Sequence, residues 1–82
     1  KNIMSNLEKY NGVFRDVFMV EDAVLNDAFD NKSVDGWDSV KQLALTTALE
    51  DTFDIMLDAE DILELTSYAK GKEILGKYNV NI

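Results

Sequence analysis

Apolar residues return every three or four positions in two blocks of this chain, 3–20 and 39–53, and lose that rhythm between Glu21 and Trp37. Such spacing stacks side chains along one side of a helix, whereas a half-buried strand needs alternation by two. In the first block Ile3, Leu7, Tyr10, Phe14, Val17 and Phe18 form the stripe; in the second, Leu45, Leu49 and Phe53 stand four apart. Val40, Ala44, Thr47 and Asp51 follow a different face of the second helix, too apolar at one end for casual solvent surface. No proline occurs anywhere and only 4 glycines do, which favours helices over strands.

Boundary signals refine this pattern. The first helix ends near Val20, and Asn11-Gly12 inside it predicts a local irregularity, since glycine weakens a helix by roughly 1 kcal/mol. The second helix runs from about Ser39 to Phe53. Ser39 and Gln42 fit a capping box, Asp38 is an alternative cap, and the pattern leaves both open. A short third helix is expected over 59–65, capped by Asp58, with Leu57 and Ile62 as a hydrophobic staple and Glu60 and Asp61 in its first turn. Thr66 or Ser67 opens a last helix carrying Tyr68, Ile74, Leu75 and Tyr78, with Lys72 and Lys77 late in it, and residues 79–82 are expected to fray. The whole predicts a single all-α domain over 1–82, a four-helix bundle with a long first loop and a short third helix. An irregular segment as long as 21–37 in so small a domain tends to be functional.

Composition narrows the chemistry. Without cysteine or histidine there is no disulfide framework, no zinc-thiolate site and no imidazole base, so an enzyme would depend on carboxylates, lysines and hydroxyls alone; no enzymatic activity is expected. The net charge of −8 is uneven: residues 21–66 hold 13 acidic side chains against Lys32 and Lys41, while both ends are slightly basic. An acidic middle repels nucleic acid and attracts basic patches on proteins. Apolar runs are too short to span a bilayer and no signal-peptide pattern is present, so a cytoplasmic protein without membrane insertion is expected, its start trimmed of methionine.

Asp38-Ser39-Val40, preceded by Gly36-Trp37, places a serine at the entrance of the second helix. Thr47-Ala48-Leu49-Glu50-Asp51-Thr52-Phe53-Asp54-Ile55 follows on that helix, and Ser67-Tyr68-Ala69 leads into the closing one. In these stretches, in length and in helix order, the chain resembles the acyl carrier proteins of the phosphopantetheine-binding carrier family. The resemblance implies a 4′-phosphopantetheine arm esterified to Ser39 by a phosphopantetheinyl transferase, and acyl intermediates carried as thioesters to enzymes of fatty-acid or specialised polyketide-type synthesis. It further implies that Asp38 aids recognition, that Val40, Ala44 and Thr47 form the apolar centre of a docking face, that Glu50 and Asp51 form its acidic rim, and that Lys41 belongs to the same partner-binding face. Lys41 and Ala44 stand where familiar fatty-acid carriers have acids, and Val40 replaces a leucine; these departures point to a specialised pathway. The expected partners are the transferase and acyl-loading and acyl-transferring enzymes with basic docking patches, met by a monomeric carrier. Trp37 is expected to anchor the loop to the core. Whether the Leu45, Leu49, Phe53 stripe also lines a cavity for an acyl chain stays open.

Three other readings compete. An aminoacyl cargo, as on D-alanyl or peptidyl carriers, suits a similar site. An unmodified acidic adaptor accounts equally for charge and exposed face. Asn31, Ser33, Asp35 and Gly36 match the first half of an EF-hand template, but its twelfth position is Gln42 inside the second helix.

Overall fold

Each helix begins where a short polar side chain can take up free backbone N–H groups. The computed structural model describes residues 4–82, so Ile3 of the expected first stripe lies outside the described residues. Ser5 opens α1 (Asn6–Phe18) with a reciprocal capping box: the Glu8 N–H donates to Ser5 Oγ, and the Ser5 N–H donates to Glu8 Oε1. The helix passes through Gly12 unbroken, correcting the expected irregularity: one glycine lowers propensity, but the buried stripe Tyr10, Val13 and Phe14 holds the turns together. It stops when Met19 turns into the left-handed region at φ 56°.

After a long connection containing one 3-10 turn at Asp22–Val24, α2 (Ser39–Phe53) starts at the cap Asp38 and ends at a left-handed Asp54, φ 54°. Asp58 caps α3 (Ala59–Glu64) by accepting from the Asp61 N–H, and Ser67 caps α4 (Tyr68–Gly76) by accepting from the Lys70 N–H. The described residues are therefore all-helical, with no strand beyond an isolated bridge between Asp30 and Ser67. Among them no helix is long and apolar enough to cross a membrane.

Aromatic rings fill the centre. Phe14 is wholly buried and has the rings of Tyr10, Phe18, Phe29, Trp37 and Tyr68 around it at centroid distances of 4.9 to 6.3 Å. Two of these, Phe29 and Trp37, come from the aperiodic segment, which is thus part of the core. The segment is also stitched by its backbone to the corner before α4, through Asn31 N–H to Thr66 O and Tyr68 N–H to Phe29 O, both at 2.9 Å. Leu45, Leu49, Leu65, Ile74 and Leu75 complete the interior, each worth about 1.5–3 kcal/mol when fully buried.

The expected fraying of 79–82 is corrected. The Val80 side chain is buried and its N–H donates to Leu75 O, while Asn6 Nδ2 donates to Asn81 O at 3.1 Å. An apolar side chain landing back on the bundle, with backbone bonds to match, outweighs the tendency of chain ends to loosen.

Candidate functional site

Ser39 occupies the first position of α2, and its surroundings follow from how that helix is capped. Asp38 Oδ1 accepts from the Lys41 N–H at 2.9 Å, and the Asp38 carbonyl accepts from the Gln42 N–H at 2.8 Å. Asp38 is therefore the cap, and the Ser39–Gln42 box does not form. The reason is that Gln42 is occupied elsewhere: its Oε1 accepts from Trp37 Nε1 at 2.6 Å, and its Nε2 donates to the carbonyls of Ile62 and Leu65, both at 2.8 Å. One side-chain amide thus joins the loop, α2 and α3.

The Ser39 hydroxyl is exposed and takes part in none of these bonds. The Ser39 and Val40 amides have no intrahelical acceptor, so the entrance of a 15-residue helix presents free N–H groups and the positive end of its dipole. Beside Ser39 lies a groove of about 520 Å³. Trp37, Leu43, Ile62 and Leu63 give it apolar walls, and Asn31, Gln42 and Thr66 supply polar groups. It opens at the surface between α2 and α3, not in the middle of the bundle.

Val40 (74% exposed), Ala44, Thr47 and Asp51 lie on the open side of α2, together as the spacing expects. Leu43, 69% exposed, and Leu63 on α3, 78% exposed, extend this apolar surface. Leu43 escaped the sequence reasoning, although it stands three from Val40 and four from Thr47, a helical neighbour of both. Leu63 carries no such signal, because α3 is too short to show a face.

Lys41 and Glu50 point their charges inward. Lys41 Nζ donates to Val17 O at 2.8 Å, satisfying a carbonyl left free at the C-terminal end of α1, where a cation is favoured. Glu50 Oε2 accepts from the Leu57 N–H at 2.8 Å and braces the α2–α3 turn. Asp38 and Asp51, by contrast, are exposed. Leu45 and Leu49 are buried, Phe53 is half-buried, and Trp37 is in the core as expected.

The EF-hand template does not assemble a cation site. Ser33 Oγ donates to Ala28 O at 2.7 Å, and Gln42, the twelfth position, has its amide already committed. No group of three or more acidic side chains that could hold a metal occurs among the described residues.

Comparison of the chain with protein-family models, with curated proteins and with solved structures finds no match.

Proposed function

We propose that the protein is a carrier that bears a 4′-phosphopantetheine arm on Ser39. The observation that carries this reading is an exposed serine hydroxyl, free of hydrogen bonds among the described residues, at the entrance of α2 and beside an apolar-walled groove. The residues present fit the group. A phosphodiester on Ser39 would sit beside the free amides of Ser39 and Val40, where a helix N-terminus favours an anion by roughly 0.3–1 kcal/mol at an exposed site. The groove walls Trp37, Leu43, Ile62 and Leu63 offer apolar cover to whatever is attached there. The bound arm supplies a terminal thiol that holds an acyl group as a thioester, chemistry that a chain without cysteine lacks.

The chain's own residues provide position and address. Asp38 fixes the start of α2 and with it the place of the Ser39 oxygen. Gln42 holds loop and α3 on one side of that oxygen. Val40, Leu43, Ala44 and Thr47 form an apolar docking surface with Asp51 at its far end. A basic patch on a transferase or acyl-loading enzyme would meet the acidic middle of the chain, which raises the encounter rate.

The test is intact-protein mass spectrometry after co-expression with broad-specificity phosphopantetheinyl transferases. One added 4′-phosphopantetheine is expected on the wild type and none on Ser39→Ala. A wild-type mass that never shifts would reject the carrier reading in favour of an acidic adaptor.

A further inference from the structure

The segment between α1 and α2 carries a groove of its own, of about 510 Å³, which shares no residue with the one beside Ser39. Val20, Ala23, Val24, Ala28, Phe29 and Val34 give it an apolar lining. Phe29 belongs to the buried core, and Val20 and Val34 pack against that core, so the groove rests on a fixed base, while Val24 is 46% exposed. The two polar residues of the lining are bonded within the segment. Asn26 Oδ1 accepts from the Ala28 N–H at 2.9 Å, and Ser33 Oγ donates to Ala28 O at 2.7 Å. Backbone bonds from the Leu25 N–H to Asp22 O and from the Phe29 N–H to Asn26 O hold the same stretch in shape.

Such a lining gives little grip to a polar small molecule, whose own donors and acceptors would go unpaired. It suits an apolar side chain of another protein, because the receiving surface is already ordered. Charge selects the partner. Residues 20–35 hold five acids, Glu21, Asp22, Asp27, Asp30 and Asp35, against Lys32 alone. Arg15 pairs with Asp22, and Asp30 Oδ1 accepts from the Lys32 and Ser33 N–H groups of its own turn. Glu21, Asp27 and Asp35, each next in the chain to a lining residue, are exposed and form no salt bridge among the described residues. A second copy of this chain, at −8, would be repelled, and so would an anionic lipid surface.

We propose that this groove is a second docking surface, which takes an apolar side chain flanked by lysines or arginines on a partner protein. It does not depend on Ser39 or on what that serine carries.

The test uses the full chain and a synthetic amphipathic peptide made only of leucine and lysine, with a leucine–glutamate peptide as its acidic counterpart. Amide shifts in NMR spectra map the site, and titrations give Kd. Shifts centred on 20–34 are expected with the lysine peptide and none with the glutamate peptide. Val24→Asp is the deciding variant, because it adds a negative charge while spoiling the apolar lining. It is expected to weaken binding about tenfold, as loss of a central apolar contact does. Asp27→Asn and Asp35→Asn should each weaken binding by about two- to threefold at low salt and hardly at all at high salt, and they keep the test available if Val24→Asp unfolds. Ser39→Ala should bind as the wild type does. No shifts at all would remove the docking surface, and shifts gathered on Val40, Leu43 and Leu63 would move the peptide to the Ser39 side. Binding unchanged or tightened in Val24→Asp would reduce the attraction to charge alone. Broadening of the 20–34 signals with protein concentration, in the absence of peptide, would give the groove to a second copy. Any one of these results overturns the proposal.

Discussion

Single atoms decide several outcomes in this bundle. A Cβ added at Gly71 would lie 2.1 Å from the Tyr10 hydroxyl oxygen and 3.2 Å from Leu65 Cδ1. Tyr10 is wholly buried and donates to the Tyr68 carbonyl, so it has nowhere to retreat. Alanine gains about 1 kcal/mol in helix propensity, but overpacking costs about 1–3 kcal/mol and the displaced hydrogen bond about 1 kcal/mol more. Gly71→Ala is therefore expected to destabilise by about 1–3 kcal/mol. At Gly12 the new Cβ meets only the flexible end of Arg15, at 3.3 Å, and Gly12→Ala is expected to stabilise by about 0.5–1 kcal/mol. Urea midpoints of the two variants should move in opposite directions; a shift in the same direction would show that propensity, not the α1–α4 approach, governs both. The same sensitivity is absent at Ser39, which is exposed and whose hydroxyl makes no hydrogen bond among the described residues. Ser39→Ala is accordingly a clean probe of the proposed modification.

At the scale of elements, α2 separates structural charge from surface charge within two adjacent residues. Asp51→Lys leaves the bundle's hydrogen bonds intact and should change stability by no more than about 0.5 kcal/mol, while, on the carrier proposal, slowing the proposed transfer to Ser39 most at low salt. Glu50→Lys strands the Leu57 N–H and should cost about 1–3 kcal/mol. Denaturant midpoints and modification rates measured at two salt concentrations check both; an equal stability loss in the two variants would contradict the assignment of Glu50 to the turn. All four helices were legible in the sequence, and so was the cap Asp58, because spacing and capping are local; the choice between Thr66 and Ser67 at the last helix was settled only by the Ser67 Oγ bond from the Lys70 N–H. The role of Gln42 was not legible, since its carbonyl partners lie 20 and 23 residues away and nothing local requires them. Lys41 escaped for the same reason, with Val17 O 24 residues distant. The C-terminal segment misled because its polar, aperiodic sequence hides one valine that lands on the bundle.

Over the whole molecule, stability against pH sets one buried contact against a large net charge. The Asp61 carboxyl is held below its usual range, first by the bond from Lys77 and then by that from Tyr78, with burial opposing them. Its contribution is complete above the ordinary aspartate range, about 3.9, and is lost as pH falls through the depressed folded value. Lys77 and Tyr78 are both raised by Asp61, so their contribution is complete below about 10 and fades as pH climbs through the raised folded values. Burial also pushes the Tyr10 phenol up, which adds to the alkaline loss. Melting temperature is expected to be level between about pH 5 and 9 and to fall on either side, with a shallower acid limb in Asp61→Asn. A melting temperature that keeps rising below pH 4 would instead show that relief of the −8 charge outweighs the Asp61 contact. The Lys41–Val17 bond has a last consequence at this scale. It clasps the two ends of the 19–38 excursion at its root, so the Ser39 oxygen takes its bearings from α1 and α2 as well as from the Asp38 and Trp37 contacts at the end of the strap. Extra residues inserted near the tip should cost little, about 0.6 kcal/mol for each doubling of length, and leave Ser39 where it stands. The largely exposed stretch 21–28 of that strap, away from the buried Phe29 and Trp37, is the place where such a chain has latitude to diversify.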